Sequence, residues 1–301
     1  MSDSLKYALK KAKIKQLLKT IVISMCVVLI AIVSLYFAGN HFSGKNSSKL
    51  KEELFLYNEI AEPNIQIDSQ VTTNSSMFGG NIITNRSKNV NGYLVQWNTL
   101  TSSYNWLTAN IDGNELVTGG LTTSDGKSYE YDKQTKNKAA TFYHPSKKYS
   151  DKYSTQLRNE LDDVSSMNDH VAEVAVSFDQ PYTFQEVKEK IPDDLNIAWL
   201  YMASPTDDTV RNYGFDPSDS PEKKYNHFIK SLKKYDNDGH DKTIQKFLNK
   251  NQTKPFHEVK ILGVMLTGKT SNFKPLKNQN FIRGSSVGAT AKIVPYITPE
   301  K

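Results

Sequence analysis

The chain has 301 residues, 38 Lys and Arg against 32 Asp and Glu, a formal net charge of +6 at pH 7, and one cysteine, Cys26. A single cysteine excludes a disulfide framework and a thiolate metal site, and a chain this long has room for a sizeable hydrophobic core instead. Residues 1–20 hold six Lys and one Asp; the rest holds 32 basic and 31 acidic residues, a balance that excludes general affinity for nucleic acid.

Lys6, Lys10, Lys11, Lys13, Lys15 and Lys19 face one acid, Asp3, in the first twenty residues. Leu5, Leu9, Ala12 and Ile14 fit one apolar stripe of a short helix with lysines around it, suited to a membrane surface or a partner's groove. The lysines also suit anionic inner-leaflet lipid, at about 1 kcal/mol each. Residues 21–38 read IVISMCVVLIAIVSLYFA, with no charge, Pro or Gly. As a helix they rise about 27 Å, close to the hydrocarbon thickness of a bilayer. The run predicts one membrane crossing, with Cys26 as a lipid-facing hydrophobe and the lysine-rich end in the cytoplasm. A cleaved signal sequence fits less well: the run is too long, and Tyr36 and Phe37 stand where small residues belong.

Residues 40–50, NHFSGKNSSKL, predict a polar linker, and residues 51–61 a short helix stopped by Pro63. From Asn64 the period becomes two. Ile65, Ile67 and Val71 alternate with polar residues, Gly79-Gly80 punctuates, Ile82 and Ile83 follow, and residues 93–97 predict a buried strand. Asp112-Gly113 and Asp125-Gly126 predict hairpin turns. This β-rich lobe extends to about Lys148. From about Gln156 strands and helices mix. Residues 171–178 and 196–202 predict strands, and Thr183 with Glu186 predicts a capping box opening a helix through Ile191. Ser220-Pro221-Glu222 predicts a helix start, with Tyr225, Phe228, Ile229 and Leu232 on one face and an end near Gly239. Residues 242–250 predict a helix, and residues 259–267 and 290–297 strands. The fold class is α+β: a transmembrane helix, then a two-lobe extracytoplasmic domain, β-rich first and mixed second.

Three patterns resemble chemistry. Residues 263–270, GVMLTGKT, match the phosphate-loop spacing, but apolar Val264, Met265 and Leu266 occupy the loop and Pro275 spoils the helix that should follow. A strand ending in a Gly-Lys turn is the expectation, with no nucleotide. Gly284-Ser285-Ser286-Val287-Gly288 fits a nucleophile elbow, but no His follows His257; a Gly-bounded turn into the last strand is expected. Residues 236–241 hint at a calcium loop, but the twelfth position is Gln245 where a bidentate Glu belongs; a solvated turn is expected. The six His residues show no zinc spacing with Glu, and Trp97, Trp106 and Trp199 read as core. Catalytic, metal and cofactor residues are expected to be none.

Two stretches resemble the sigma-factor-regulator family of Gram-positive membrane proteins. The first, Leu9 to Trp97, carries LKKAKIKQLLKTIVIS, PNIQIDSQV, FGGNIITN and KNVNGYLVQW. The second, Leu157 to about Pro295, carries VAEVAVSFDQPYTFQEVKEKIPDDLNIAWLYM, ILGVMLTGKT and FIRGSSVGATAKIV. The resemblance implies a membrane anti-sigma factor restraining an extracytoplasmic-function sigma factor until an envelope signal arrives outside. Trp97, Phe178, Pro181, Tyr182, Thr183, Trp199, Gly263, Gly268 and Gly288 are its pattern residues here, expected to determine the fold. The implied organisation is a cytoplasmic tail (1–20), a transmembrane helix (21–38), a linker with a short helix (39–63), a β-rich lobe (64–150) and an α+β lobe (156–298). Leu5, Leu9, Lys10, Lys11 and Lys13 are the candidate partner contact. One short helix buries less than the roughly 1,600 Å² of a standard interface. The expected partners are therefore a sigma factor, a second small membrane protein beside it, and the bilayer, with no nucleic acid. The alternative is an anchored envelope-binding or sensor module without direct sigma binding.

Overall fold

A computed structural model describes residues 3–111, 116–124, 126, 128–149, 157–206 and 211–301. The turn residues Asp112, Gly113 and Asp125, and the expected lobe start at Gln156, lie outside the described residues.

Asp3–Ala61 form one helix, α1, of 59 residues, about 88 Å long. It contains a window long and apolar enough to cross a membrane, none of it buried. The expected linker is absent: residues 40–50 continue the helix. Gly, Ser and Asn are poor helix formers, at up to about 1 kcal/mol each. Tertiary packing overrides them here, because Ser43, Leu50, Leu54, Tyr57 and Ile60 form one buried stripe. Gly39 belongs to the same face. A Cβ there would lie 2.6 Å from the Trp106 ring and 2.7 Å from the Met77 carbonyl oxygen.

The first lobe is an antiparallel sheet of β1 (Gln66–Ser76), β2 (Gly79–Val90), β3 (Tyr93–Gln96), β4 (Leu100–Asn105) and β5 (Ala109–Ile111). Its order is β1-β2-β4-β5, with β3 paired to the far half of β2. Asn91-Gly92, with φ of 56° and 91°, makes the β2–β3 turn, the left-handed pair that Asn-Gly supplies readily. β1 is an edge strand, and the alternation read from Val71 does not mark a buried face, since Val71 is exposed. Ile82, Leu100 and Tyr104 pack on Leu50 and Leu54 of α1. A small sheet of β6 (Gly119–Thr122), β7 (Ser128–Tyr131) and β8 (Lys138–Ala139) follows.

The second lobe is an antiparallel sheet in the order β11-β10-β12-β9-β13. Its strands are β9 (His170–Tyr182), β10 (Asn196–Ala203), β11 (Tyr213–Phe215), β12 (Ile261–Lys269) and β13 (Ile282–Lys292). Helices α2 (Leu161–Ser166), α3 (Phe184–Lys190), α4 (Pro221–Tyr235) and α5 (Lys242–Asn251) accompany it. β9 is buried on both faces, which is why VAEVAVSF reads as nearly continuous apolar sequence. Ala172, Val174, Val176 and Phe178 join the main core with Phe228 and Leu232 of α4 and Ile60 of α1. Ala175 faces the other way, under Phe142, whose ring stacks on Tyr201 at 4.1 Å.

Local expectations meet mixed outcomes. Residues 263–269 are β12 strand, not a phosphate loop, and a 3-10 turn (Thr270–Leu276) follows. Residues 284–288 are not a turn but the middle of β13. Their glycines are strand residues because backbone and side chains crowd them: a Cβ on Gly284 would meet the Arg158 carbonyl oxygen at 2.7 Å. Ser220 precedes α4 without a side-chain capping bond, and α4 ends at Tyr235 rather than near Gly239. Asp236 accepts from the Asp241 amide and Gln245, and Asp241 caps α5 and accepts from the Tyr213 hydroxyl at 2.6 Å, so these carboxylates serve the turn itself.

Thr183 and Glu186 form the full capping box of α3. The Thr183 backbone and side-chain bonds, then Lys260, pull the Glu186 carboxyl down to about 2. A depressed carboxyl contributes stability above its unfolded pKa and loses it as pH falls through the folded one. NMR titration should place the Glu186 midpoint near pH 2, and Thr183→Ala should raise it while lowering stability by about 1 kcal/mol. A midpoint unmoved by the substitution excludes the Thr183 hydroxyl as a cause and leaves the Thr183 amide and Lys260.

Candidate functional site: the exposed end of the long helix and its buried junction with both lobes

The helical geometry of α1 sets what residues 3–20 can do. Leu5, Leu9 and Ala12 follow i, i+4, i+7 spacing, so they share a face. Leu5 and Leu9 are about half exposed, and Lys10, Lys11 and Lys13 are exposed around them. Lys13 lies about 39 Å along the helix from Gly39, where the lobes begin to touch α1. Among the described residues, nothing from the lobes covers this end.

The pattern residues of the lobes do not converge on one pocket. Trp97, Phe178, Tyr182 and Trp199 are buried, while Pro181 is exposed on β9 beyond its pairing with β13. Gly263 and Gly268 lie in β12, where a Cβ would meet the Val176 carbonyl oxygen at 2.5 Å and the Leu195 side chain at 2.4 Å. They secure close strand and side-chain packing.

The lobes meet instead around one carboxylate. Glu173 sits inside β9 with its side chain fully buried on the face away from the helices. Its Oε1 accepts from Lys88 Nζ of β2 at 2.7 Å and from the Ala289 amide of β13 at 3.3 Å. Its Oε2 accepts from Asn64 Nδ2 at 2.8 Å. Asn64, in the α1–β1 connection, also donates to the Asn89 carbonyl at 3.0 Å. Lys88 lies over the Trp97 ring at 4.2 Å. Gly288 makes the room, since a Cβ there would stand 2.2 Å from Glu173 Oε1. Glu173 is the residue that sequence reading missed. Its signal was a lone acid within an apolar strand, a position tenable only with a buried partner.

A second pair ties α1 to the first sheet. Arg86 of β2 lies 3.5 Å from Glu62, just past the end of α1, and donates through Nε to the Asn98 carbonyl at 3.1 Å. Burial pushes the Glu62 carboxyl up, and Arg86 and Lys88 pull against that shift. The folded state therefore holds this proton at pH values where the unfolded chain has released it, and Glu62's contribution declines as pH rises through its folded pKa. Burial likewise pushes the Tyr57 hydroxyl up. The helix end, both sheets and the connection between them thus share one network. Beside it opens a cleft of about 510 Å³, lined by Asn64, Gln66, Asn89, Phe184, Lys188 and Asn196 among others.

Two family patterns match the chain. The sigma factor regulator N-terminal pattern matches residues 6–95, and the sigma factor regulator C-terminal pattern matches residues 161–214 and 204–289. No curated protein and no solved structure matches it. The N-terminal match spans the exposed helix end from Lys6 onward, the apolar run, the docked half of α1 and Lys88. The C-terminal match contains Glu173 and Gly288.

Breaking a buried pair by removing one partner strands the other charge, at about 3–5 kcal/mol. Glu173→Ala should lower stability by that order in urea unfolding of the detergent-solubilised chain. The double change Lys88→Met with Glu173→Leu should lose distinctly less. Equal losses would show that packing, not the charge pair, holds the junction.

Proposed function

The chain belongs to the sigma factor regulator family, and we propose that it is a membrane-anchored anti-sigma factor that restrains an extracytoplasmic-function sigma factor until an envelope signal reaches its outer lobes. The family is a regulatory one and not a class of enzymes. In this reading residues 1–20 lie in the cytoplasm, residues 21–38 cross the membrane and residues 39–63 extend the span rigidly. Residues 64–150 and 156–298 form the two extracytoplasmic lobes. The lysine excess before the apolar run supports that orientation.

One observation carries the reading: α1 is unbroken from its lysine-rich end, through the apolar run, to a stripe buried against both lobes. Leu5 and Leu9 are the apolar contacts to the sigma factor, and Lys10, Lys11 and Lys13 complement acid on the partner or on the inner leaflet. A helix this narrow takes a small share of any interface, which favours a second small membrane protein completing the grip.

The cleft between the lobes favours a second reading, an anchored envelope-binding module without direct sigma contact. The two separate on the tail. Deleting the gene should raise the transcripts of a sigma regulon, and Leu5→Glu with Leu9→Glu should raise them nearly as far while the protein stays in the membrane. Replacing residues 1–20 by an unrelated basic helix should do the same. Transcripts unchanged on deletion would falsify the regulatory reading; full function with the replaced tail would favour the binding module.

A further inference from the structure

The anchoring reading treats α1 as the membrane contact. The turns that pack beside Gly39 extend that contact. β1 descends from Gln66 to Ser76 antiparallel to β2, and the turn at its foot holds Met77 and Phe78. The β4–β5 turn holds Trp106 and Leu107. Both turns reach α1 at the end of the apolar run. The Trp106 ring and the Met77 carbonyl crowd Gly39, and Ser43 Oγ donates to the Ser76 carbonyl at 3.3 Å. Asn46 donates to the Asn105 carbonyl at 2.7 Å. Trp106 Nε1 donates to the Met77 carbonyl, and the Phe78 and Trp106 rings stack at 5.7 Å, joining the two turns into one apolar tip.

Element lengths explain the level at which this tip stands. From Ala61 back to Gly39, α1 covers about 33 Å, and β1 covers about the same from Gln66 to Ser76. The strand thus brings its turn to the helix level where apolar sequence begins. Gly39 lies about 14 Å from the middle of residues 21–38, against a hydrocarbon half-thickness of about 15 Å. The side chains at the tip are the wrong ones for water: Phe78 is 64 % exposed and Leu107 89 % exposed, and Phe42, three residues past Gly39 on α1, is also exposed. Trp settles at the boundary between headgroups and acyl chains, and Phe and Leu are the apolar residues that interfacial elements bury there.

We propose that Met77, Phe78, Trp106 and Leu107 form a second membrane contact, seated in the headgroup–acyl boundary of the leaflet from which α1 emerges. This rests on the anchoring reading. The occupant is lipid, since the patch continues the apolar surface of the span and lies at its edge. The contact fixes the tilt of the docked lobes against the membrane plane, which one helix leaves free.

The test uses the full chain in phosphatidylcholine vesicles whose acyl chains carry bromine near the headgroup, which quenches tryptophan on contact. The chain has three tryptophans. Trp97 and Trp199 are buried in the lobes, and Trp97 packs with Ile65 near the far end of the docked half of α1. Quenching is expected to fall on Trp106: present in the parent protein, abolished by Trp106→Phe, and cut at least twofold by Phe78→Ser with Leu107→Ser. In a parallel sample an environment-sensitive fluorophore on Cys26, the lone cysteine and a residue of the apolar run, reports the span itself. Lipid-type emission from Cys26 without Trp106 quenching overturns this inference and leaves the anchor standing. Quenching that survives Trp106→Phe also overturns it, and water-type emission from Cys26 removes both.

Discussion

Burial of one stripe of α1 underlies the rest of this structure. Ser43, Leu50, Leu54, Tyr57 and Ile60 turn what would be a free helix into part of two cores. Without that docking, the Gly, Ser and Asn residues of 40–50 have no reason to stay helical. With it, the apolar run and the lobes form one continuous element. Ile60 reaches the main core of the second lobe, while Leu50 and Leu54 serve the first. Each lobe therefore depends on the helix for part of its own burial.

Sequence reading found what local chemistry determines and missed what distant contacts determine. The apolar run needs only counting. The Thr183–Glu186 capping box of α3 and the Tyr225, Phe228, Ile229 and Leu232 stripe of α4 are each written within a few turns of their own helix. Residues 40–50 have the composition of a linker, and only Trp106, Ile82 and Leu100, brought from the sheet, make them helix. The β13 glycines look like a turn because their reason for being glycine lies elsewhere: Arg158 against Gly284 and Glu173 against Gly288. Asn91-Gly92 was legible but passed over: it is a strong short-range hairpin signal, and it makes the β2–β3 turn. Glu173 was half legible: a charge in a buried strand announces a partner without naming Lys88.

The same contrast disposes of the borrowed motifs. A phosphate loop needs backbone amides turned toward an anion, and those of residues 263–269 lie in a strand paired on both sides. A nucleophile elbow needs its serine raised on a sharp turn, whereas Ser286, the serine of the pattern, is buried in the middle of β13 and accepts from Lys138 at 3.2 Å. Spacing matched and surroundings did not. The glycines these motifs share with the family patterns serve sheet packing, which accounts for their place in a regulator.

A lone membrane helix is a poor conductor of conformational change when a flexible hinge separates it from its domain, since the hinge absorbs the motion. Here the outer half of α1 is helical and docked. Any change in how the lobes meet at Glu173 acts on Asn64 and Glu62, and so on the end of the helix itself. A rigid rod of about 88 Å converts a small tilt at one end into a displacement of several ångströms at the other. Leu5 and Leu9 stand at that other end. In the proposed reading a lever is favoured over an unfolding step as the means of release, because local unfolding of residues 39–61 would first forfeit the burial of Leu50, Leu54 and Ile60 from both cores. A signal that shifts the lobes against each other needs only to tilt what is already joined.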